Sequence, residues 1–220
     1  MGEERDDGEI ARRIAAAPDR SLAGLRRVRR TLSRELRARG GREVLRLVEG
    51  LLERRASVPR WFAWELAHHH RGALAQLTAA NLNRLGAELD NWGDVDAFSV
   101  YLLGPAYREG RISADELARW ARSKDRWRRR AAVVSTVALN NTARGGIGDA
   151  PRTLAVCDLV LDDRDDLVVK ALSWALRELA VKRPQAVEGY LAAHAERLAA
   201  RVSREVRSKL TTGLKQKKRR

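Results

Sequence analysis

Cysteine and long apolar runs are nearly missing from this sequence, and lysine is scarce among its basic residues. Its single cysteine, Cys157, cannot form an internal disulfide and has no spaced partner for a zinc site, which fits a reducing compartment. No apolar stretch comes near the roughly 18–20 residues that a membrane span needs. The opening residues lack the basic start and apolar centre of a secretory signal, carrying Glu3, Glu4, Asp6, Asp7 and Glu9 against Arg5. An intracellular, cytoplasmic protein is the expectation. Nor does any stretch alternate apolar and polar residues convincingly, which argues against half-buried strands.

What is present is enough apolar material for a core and a large surplus of positive charge. Hydrophobic residues make up 44% and charged residues 33% of 220 positions, which excludes a disordered polyelectrolyte. Length alone fits one large domain or two small ones. The net charge is +15, and because only seven of the 44 basic residues are lysine, arginine carries most of it. Arginine's planar fork of donors can grip a phosphate through two bonds, and summed positive charge draws polyanions from a distance. A GC-rich genome would also enrich Arg and Ala over Lys, yet a nucleic acid partner is the favoured reading.

The charge is concentrated in blocks. Arg119, Arg122, Lys124, Arg126, Arg128, Arg129 and Arg130 stand against Asp125 alone. A second block runs from Arg204 and ends in Lys215, Gln216, Lys217, Lys218, Arg219 and Arg220. This last run reads as a solvated extension that adds affinity but no fixed geometry.

Apolar residues recur at helical spacing along nearly the whole chain, as in Leu45, Leu47, Val48, Leu51 and Leu52, or Val168, Val169, Leu172, Leu176 and Leu179. Punctuation at Pro18, Gly40 and Gly41, Pro59, Gly72, Gly104 and Pro105, Gly110, the Gly145 to Pro151 stretch and Pro184 cuts the pattern into many short helices. A repeat then emerges. Asp125 to Ala131 aligns with Asp165 to Ala171 at an offset of 40 residues, and Asp90 to Ala97 can be laid over both so that Asp96 falls where Arg130 and Lys170 stand. That period and pattern look like HEAT-type helical pairs, the Asp suiting a helix start and the Ala a close helix contact. Equivalent positions of stacked repeats line up, so Asp96, Arg130 and Lys170 are expected as neighbours on one ridge.

Trp92 precedes Asp96 by four residues and Trp174 follows Lys170 by four, so each indole shares a helical face with a charge. Burying that face would bury the charge as well, which costs several kcal/mol unless it is paired. Trp92 and Trp174 are therefore expected at the surface. Trp61, Trp64, Trp120 and Trp127 have apolar neighbours in Phe62, Leu66, Leu117 and Val133 and are expected to pack inside.

Three segments carry a resemblance: Asn91-Trp92-Gly93-Asp94-Val95-Asp96, Trp127-Arg128-Arg129-Arg130-Ala131-Ala132, and Lys170-Ala171-Leu172-Ser173-Trp174-Ala175-Leu176-Arg177-Glu178. In order, they resemble the signature regions of the AlkD-like DNA alkylation-repair glycosylases, over about residues 20–210. The resemblance implies an all-α, HEAT-like helical-repeat solenoid with an open, concave basic groove, excising positively charged N3- or N7-alkylated purines from duplex DNA. It implies Asp96 as the catalytic carboxylate, Trp92 and Trp174 as the lesion-binding aromatics, and Arg130 as the phosphate contact; Lys170, its neighbour on the expected ridge, is expected as a second phosphate contact. One residue departs from the pattern: Asp94 comes two positions after Trp92, where the family's acid comes directly after.

The chemistry asks for these residue types. A cationic purine leaves readily and its deoxyribose passes through an oxocarbenium-like state, which a nearby carboxylate stabilises. Indole faces attract the charged base by about 0.5–2 kcal/mol. The cations around Asp96 are expected to lower its pKa. No metal and no cofactor are expected. His68, His69 and His70 are consecutive and point to different sides of a helix, a poor metal site. Gly145, Gly146 and Gly148 follow no strand and read as a flexible connector, and Cys157 reads as core.

The expected layout is an acidic N-terminal segment at 1–18, a HEAT-like glycosylase domain at 19–212 and a basic tail at 213–220, in a monomer associating with the nucleoid through DNA. Two rivals remain at this point: a relative that binds damaged or branched DNA without catalysis, and a helical scaffold for acidic proteins.

Overall fold

The computed structural model describes residues 3–54 and 56–215, with the side chains of 3–5 excepted, and the basic tail from Gln216 to Arg220 lies outside the described residues. Helix is the regular structure found among the described residues. None of these helices is long and apolar enough to cross a membrane. The chain divides into two compact units, Met1–Glu88 and Leu89–Arg220.

Unit 1 holds α1 (Glu3–Ala15), α2 (Leu22–Glu35) continued by a 3-10 turn at Leu36–Ala38, α3 (Gly41–Glu53), α4 (Arg60–His68), α5 (Arg71–Ala75) and α6 (Ala79–Leu85). The amphipathic α3 is its centre, burying Val44, Leu45, Val48 and Leu51 against α1, α4 and α5. The 1–18 stretch read as an acidic segment contains α1, whose Ile10, Ala11 and Ile14 are buried. Its Asp7 accepts a 2.7 Å bond from Arg54 Nε. Cap residues start the helices where the sequence supplies them: Ser21 accepts from Gly24 N–H, and Thr78 forms a capping box with Asn81. His70, one of the three consecutive histidines, accepts from Ala73 N–H through Nδ1 at 3.0 Å and caps α5.

Unit 2 begins with α7 (Trp92–Phe98), which runs through a π-helical turn at Ser99–Leu103 into α8 (Gly104–Arg108). It continues with α9 (Ala114–Ala121), α10 (Arg126–Ser135), α11 (Val137–Asn140), α12 (Ala150–Asp158), α13 (Asp166–Ala180), α14 (Pro184–Ala193) and α15 (Ala200–Thr212). Helices α7, α10, α13 and α15 form a row, each packed on the next, and α8, α9, α11, α12 and α14 pack against that row.

Two acids of the expected repeat, Asp125 and Asp165, start helices of the row, while at the third segment the cap is Asn91 rather than Asp90. Asn91, Asp125 and Asp165 are the N-caps of α7, α10 and α13, accepting from Asp94, Trp127 and Leu167 N–H respectively. A cap of this kind contributes about 1 kcal/mol. Ala131 and Ala171 are fully buried where α10 and α13 meet their neighbours. Polar bonds tie the row together: Arg129 Nε donates to Asp163 Oδ2 at 2.6 Å, and Ser173 Oγ to Glu205 Oε2 at 2.7 Å.

Two punctuation signals act differently from the sequence expectation. Gly104 and Pro105 do not end a helix. Gly104 N–H bonds to Ser99 O, one residue further back than in an α-helix, so the turn widens and Pro105 sits at the start of α8. A Cβ on Gly104 would lie 2.5 Å from Ser135 O, so glycine is what lets this turn approach α10. The glycines after α11 form no loose connector: Gly146 N–H bonds to Asn141 O, Ile147 and Gly148 N–H both bond to Leu139 O, and Arg183 Nε donates to Gly148 O.

Candidate active site

The first turn of α7 presents Trp92, 63% exposed, and Asp96 lies one turn further on the same face. The start of this helix is held locally. Asn91 accepts from Asp94 N–H and donates through Nδ2 to Asp94 Oδ2, both at 2.9 Å, so the displaced acid of the motif serves the cap.

From α10, Arg130 meets Asp96 with both prongs: Nε to Oδ1 at 3.0 Å and Nη2 to Oδ2 at 2.9 Å. Its Nη1 donates to Leu167 O on α13 at 2.6 Å. Arg130 thus links three helices of the row and keeps 6% of its surface. A buried guanidinium with three of its nitrogens engaged in protein bonds has little left to offer a phosphate in this conformation; what it does here is hold Asp96.

The Asp96 carboxyl is 19% exposed. Burial raises its pKa above the ordinary carboxylate value, outweighing the opposing pull of the Arg130 hydrogen bonds and charge. The expected direction was downward. The sequence shows the cations but not that the same helix contact that brings Arg130 in also takes water away.

Lys170 lies on the ridge but apart from this pair. It is exposed, three residues beyond the Leu167 carbonyl that Arg130 uses, and its Nζ lies 2.6 Å from Asp166 Oδ2, while Arg201 of α15 takes the other oxygen of the same carboxylate, Oδ1. Trp174, one turn further along α13, is half-buried, and its Nε1 donates to Glu178 Oε1 at 3.3 Å. Asn141 Nδ2 holds the other Glu178 oxygen at 3.2 Å. Glu178 therefore fixes the indole edge, a role the sequence reading missed although Glu178 stands four residues after Trp174, as Asp96 does after Trp92.

Of the four tryptophans expected inside, Trp64 and Trp120 are buried, Trp120 stacked on Phe98 with ring centres 5.7 Å apart. Trp61 and Trp127 are only half-buried, each beneath an arginine, Arg26 at 5.8 Å and Arg126 at 5.0 Å from the ring centre. A guanidinium lid substitutes for core contact in both. Cys157 is fully buried, and burial pushes its thiol pKa far above the usual value, so it is inert. Among the described residues no cluster of His, Cys, Asp and Glu could hold a metal ion.

A family model described as DNA alkylation repair enzyme matches residues 11–210. The chain belongs to this AlkD-like family. No curated protein and no solved structure gives a match. The matched span includes every residue of the Trp92, Asp96, Arg130 and Trp174 set, so this family member carries its candidate site within the part that identifies it.

Proposed function

We propose that this DNA alkylation repair family member is a monofunctional DNA glycosylase, hydrolysing the N-glycosidic bond of cationic N3- or N7-alkylated purines in duplex DNA, with the row α7, α10, α13, α15 acting as HEAT-like repeats. The observation that carries the reading is an exposed indole one helical turn from a carboxylate that a buried guanidinium holds in place. Trp92 and the edge-fixed Trp174 offer aromatic faces to a charged base, favouring it over a neutral one. Asp96 supplies negative charge where the sugar becomes cationic and can orient the attacking water. Arg130 acts through Asp96 as a positioning residue, since an untethered carboxylate would spend free energy reorganising. Lys170, exposed beside Asp166, is the cation of the ridge available to a phosphate. No metal or cofactor is invoked for these steps.

One observation favours a second reading, a relative that binds damaged DNA without cutting it: both Asp96 oxygens already accept bonds from Arg130. A single experiment separates the two. Purified protein is incubated with duplexes bearing N7-methylguanine, N3-methyladenine or a bulky N3-adenine adduct, and free base is measured beside binding. Base release above the protein-free rate supports the glycosylase; tight binding with no release supports the idle relative.

A further inference from the structure

Unit 1 repeats, on its own helices, the pairing seen between α7 and α10. Trp61 and Glu65 stand four residues apart on α4, as Trp92 and Asp96 do on α7. Helix α2, packed against α4, supplies the guanidiniums: Arg26 Nε donates to Glu65 Oε2 at 3.1 Å, and Arg29 Nε lies 3.5 Å from Oε1. One difference decides what this place can do. The Asp96 side chain is 19% exposed, whereas that of Glu65 is 5% exposed and shared by two arginines. A sugar cannot reach Glu65; it anchors arginines.

What unit 1 shows to solvent here is aromatic and cationic. Trp61 is half-buried beneath Arg26, and beyond Arg26 along α2 and its 3-10 extension come Arg30, Arg34 and Arg37, all exposed. At 3.6 residues per turn the four arginines fall within an arc of about 80° and span about 16 Å. That is the axial length of roughly five phosphates on one strand of a duplex. Among the described residues Arg30 and Arg37 have no acidic partner, and Arg34 donates to the Thr31 hydroxyl. Glu35, the acid of α2, is held by Arg13 at 2.7 Å and also feels the charge of Arg34. Like charges at this spacing oppose the helix that carries them, and a polyanion laid along them removes the repulsion.

We infer that the α2–α4 face of unit 1 is a DNA-binding surface in its own right, taking the phosphates of one duplex strand along Arg30, Arg34 and Arg37 with the Trp61 indole against the sugars, and that it contributes affinity but no base release. The inference rests on the DNA-repair reading of the family member and specifies where the undamaged backbone is held. It is distinct from the basic blocks at Arg119 to Arg130 and from Arg204 onward, because it lies on unit 1, where helical spacing brings these arginines to one face.

The test uses the full chain and an unmodified duplex, with binding followed by fluorescence anisotropy from about 50 to 300 mM salt. The triple variant Arg30→Gln, Arg34→Gln, Arg37→Gln is expected to bind at least tenfold more weakly and to flatten the slope of log K against log salt by about 2–3, at roughly 0.9 per phosphate contact. A charge-matched control, Arg42→Gln, Arg46→Gln, Arg71→Gln, is expected to leave the slope within one unit of wild type. Trp61→Ala, checked for folding by circular dichroism, should weaken binding with the slope kept. An unchanged slope in the stripe variant, or an equal change in the control, overturns the inference. Because the readout is binding, a wild-type protein that grips duplex but releases no base would overturn the glycosylase reading and leave this one standing.

Discussion

Arg130 closes a two-pronged bridge onto Asp96 across 34 positions of sequence, and its remaining nitrogen reaches the Leu167 carbonyl on a third helix. The carboxylate proposed to face the sugar cation is therefore not a free surface charge. Its place is fixed by the packing of α7, α10 and α13, which makes the chemistry and the stability of unit 2 depend on the same pair.

Replacing Asp96 by Asn separates charge from shape. The amide is nearly isosteric and keeps an acceptor for Arg130, yet it cannot stabilise a developing cation. Single-turnover release of N7-methylguanine is expected to fall by at least 100-fold while duplex affinity stays within about threefold. A wild-type rate would move the chemistry to another group, with Asp94 first in line.

Arg130→Gln should cost stability as well as rate. Breaking a buried ion pair from one side leaves the partner uncompensated, typically at about 3–5 kcal/mol. Arg130 is 7% and Asp96 19% exposed at the side chain, so a loss near the lower end, about 3 kcal/mol, is expected in a denaturant melt. Lys170→Gln removes an exposed pair with Asp166 and should cost less than about 0.5 kcal/mol. Equal losses would mean that the Asp96 bridge carries no special weight.

Trp92 and Trp64 make a matched contrast. Trp92 is 63% exposed and Trp64 fully buried, with its Nε1 donating to Leu85 O. Truncating Trp64 to Ala should lower stability by about 3–5 kcal/mol. Trp92→Ala should change stability by less than about 1 kcal/mol while slowing excision of a cationic purine at least tenfold. A large stability loss at Trp92 would return it to a packing role.

Parts of this architecture could be read directly from residues, and parts could not. Asp125 and Asp165 announced helix starts because a cap is decided within three residues, and both are caps. The Trp92–Asp96 and Trp174–Glu178 spacings are equally local. The meeting of Asp96 with Arg130 was expected from the repeat, but its consequence, a buried Arg130 and a raised Asp96, depends on how closely α7 and α10 pack. The half-buried states of Trp61 and Trp127 depend in the same way on arginines reaching over them, Arg26 from another helix and Arg126 from the adjacent position. Gly104 and Pro105 read as a break because a π-helical turn leaves no mark that sequence spacing alone can show. The α2 stripe is a different case: residues 26–39 hold seven arginines against Glu35, but which of them share one exposed face is set by the helix register and by Arg26 and Arg29 turning to Glu65 on another helix.

The pH dependence of base release follows from the pair. The carboxylate must be ionised to stabilise the sugar cation, so the rate falls as pH drops through the Asp96 pKa. Burial raises that pKa above the ordinary aspartate value of about 3.9, and the Arg130 bonds oppose the rise. The acid limb of the protein-dependent rate should therefore sit above that of an ordinary aspartate. In Arg130→Gln the lowering contribution is gone while much of the burial remains, so the limb should move to still higher pH and the plateau should drop. Cationic purines also leave spontaneously, so each rate is taken as the difference from a protein-free duplex at the same pH. Asp96→Asn, having no carboxyl to titrate, should lose the limb altogether. A limb that survives in Asp96→Asn, or that moves to lower pH in Arg130→Gln, would show that the titrating group is not the carboxylate that Arg130 holds.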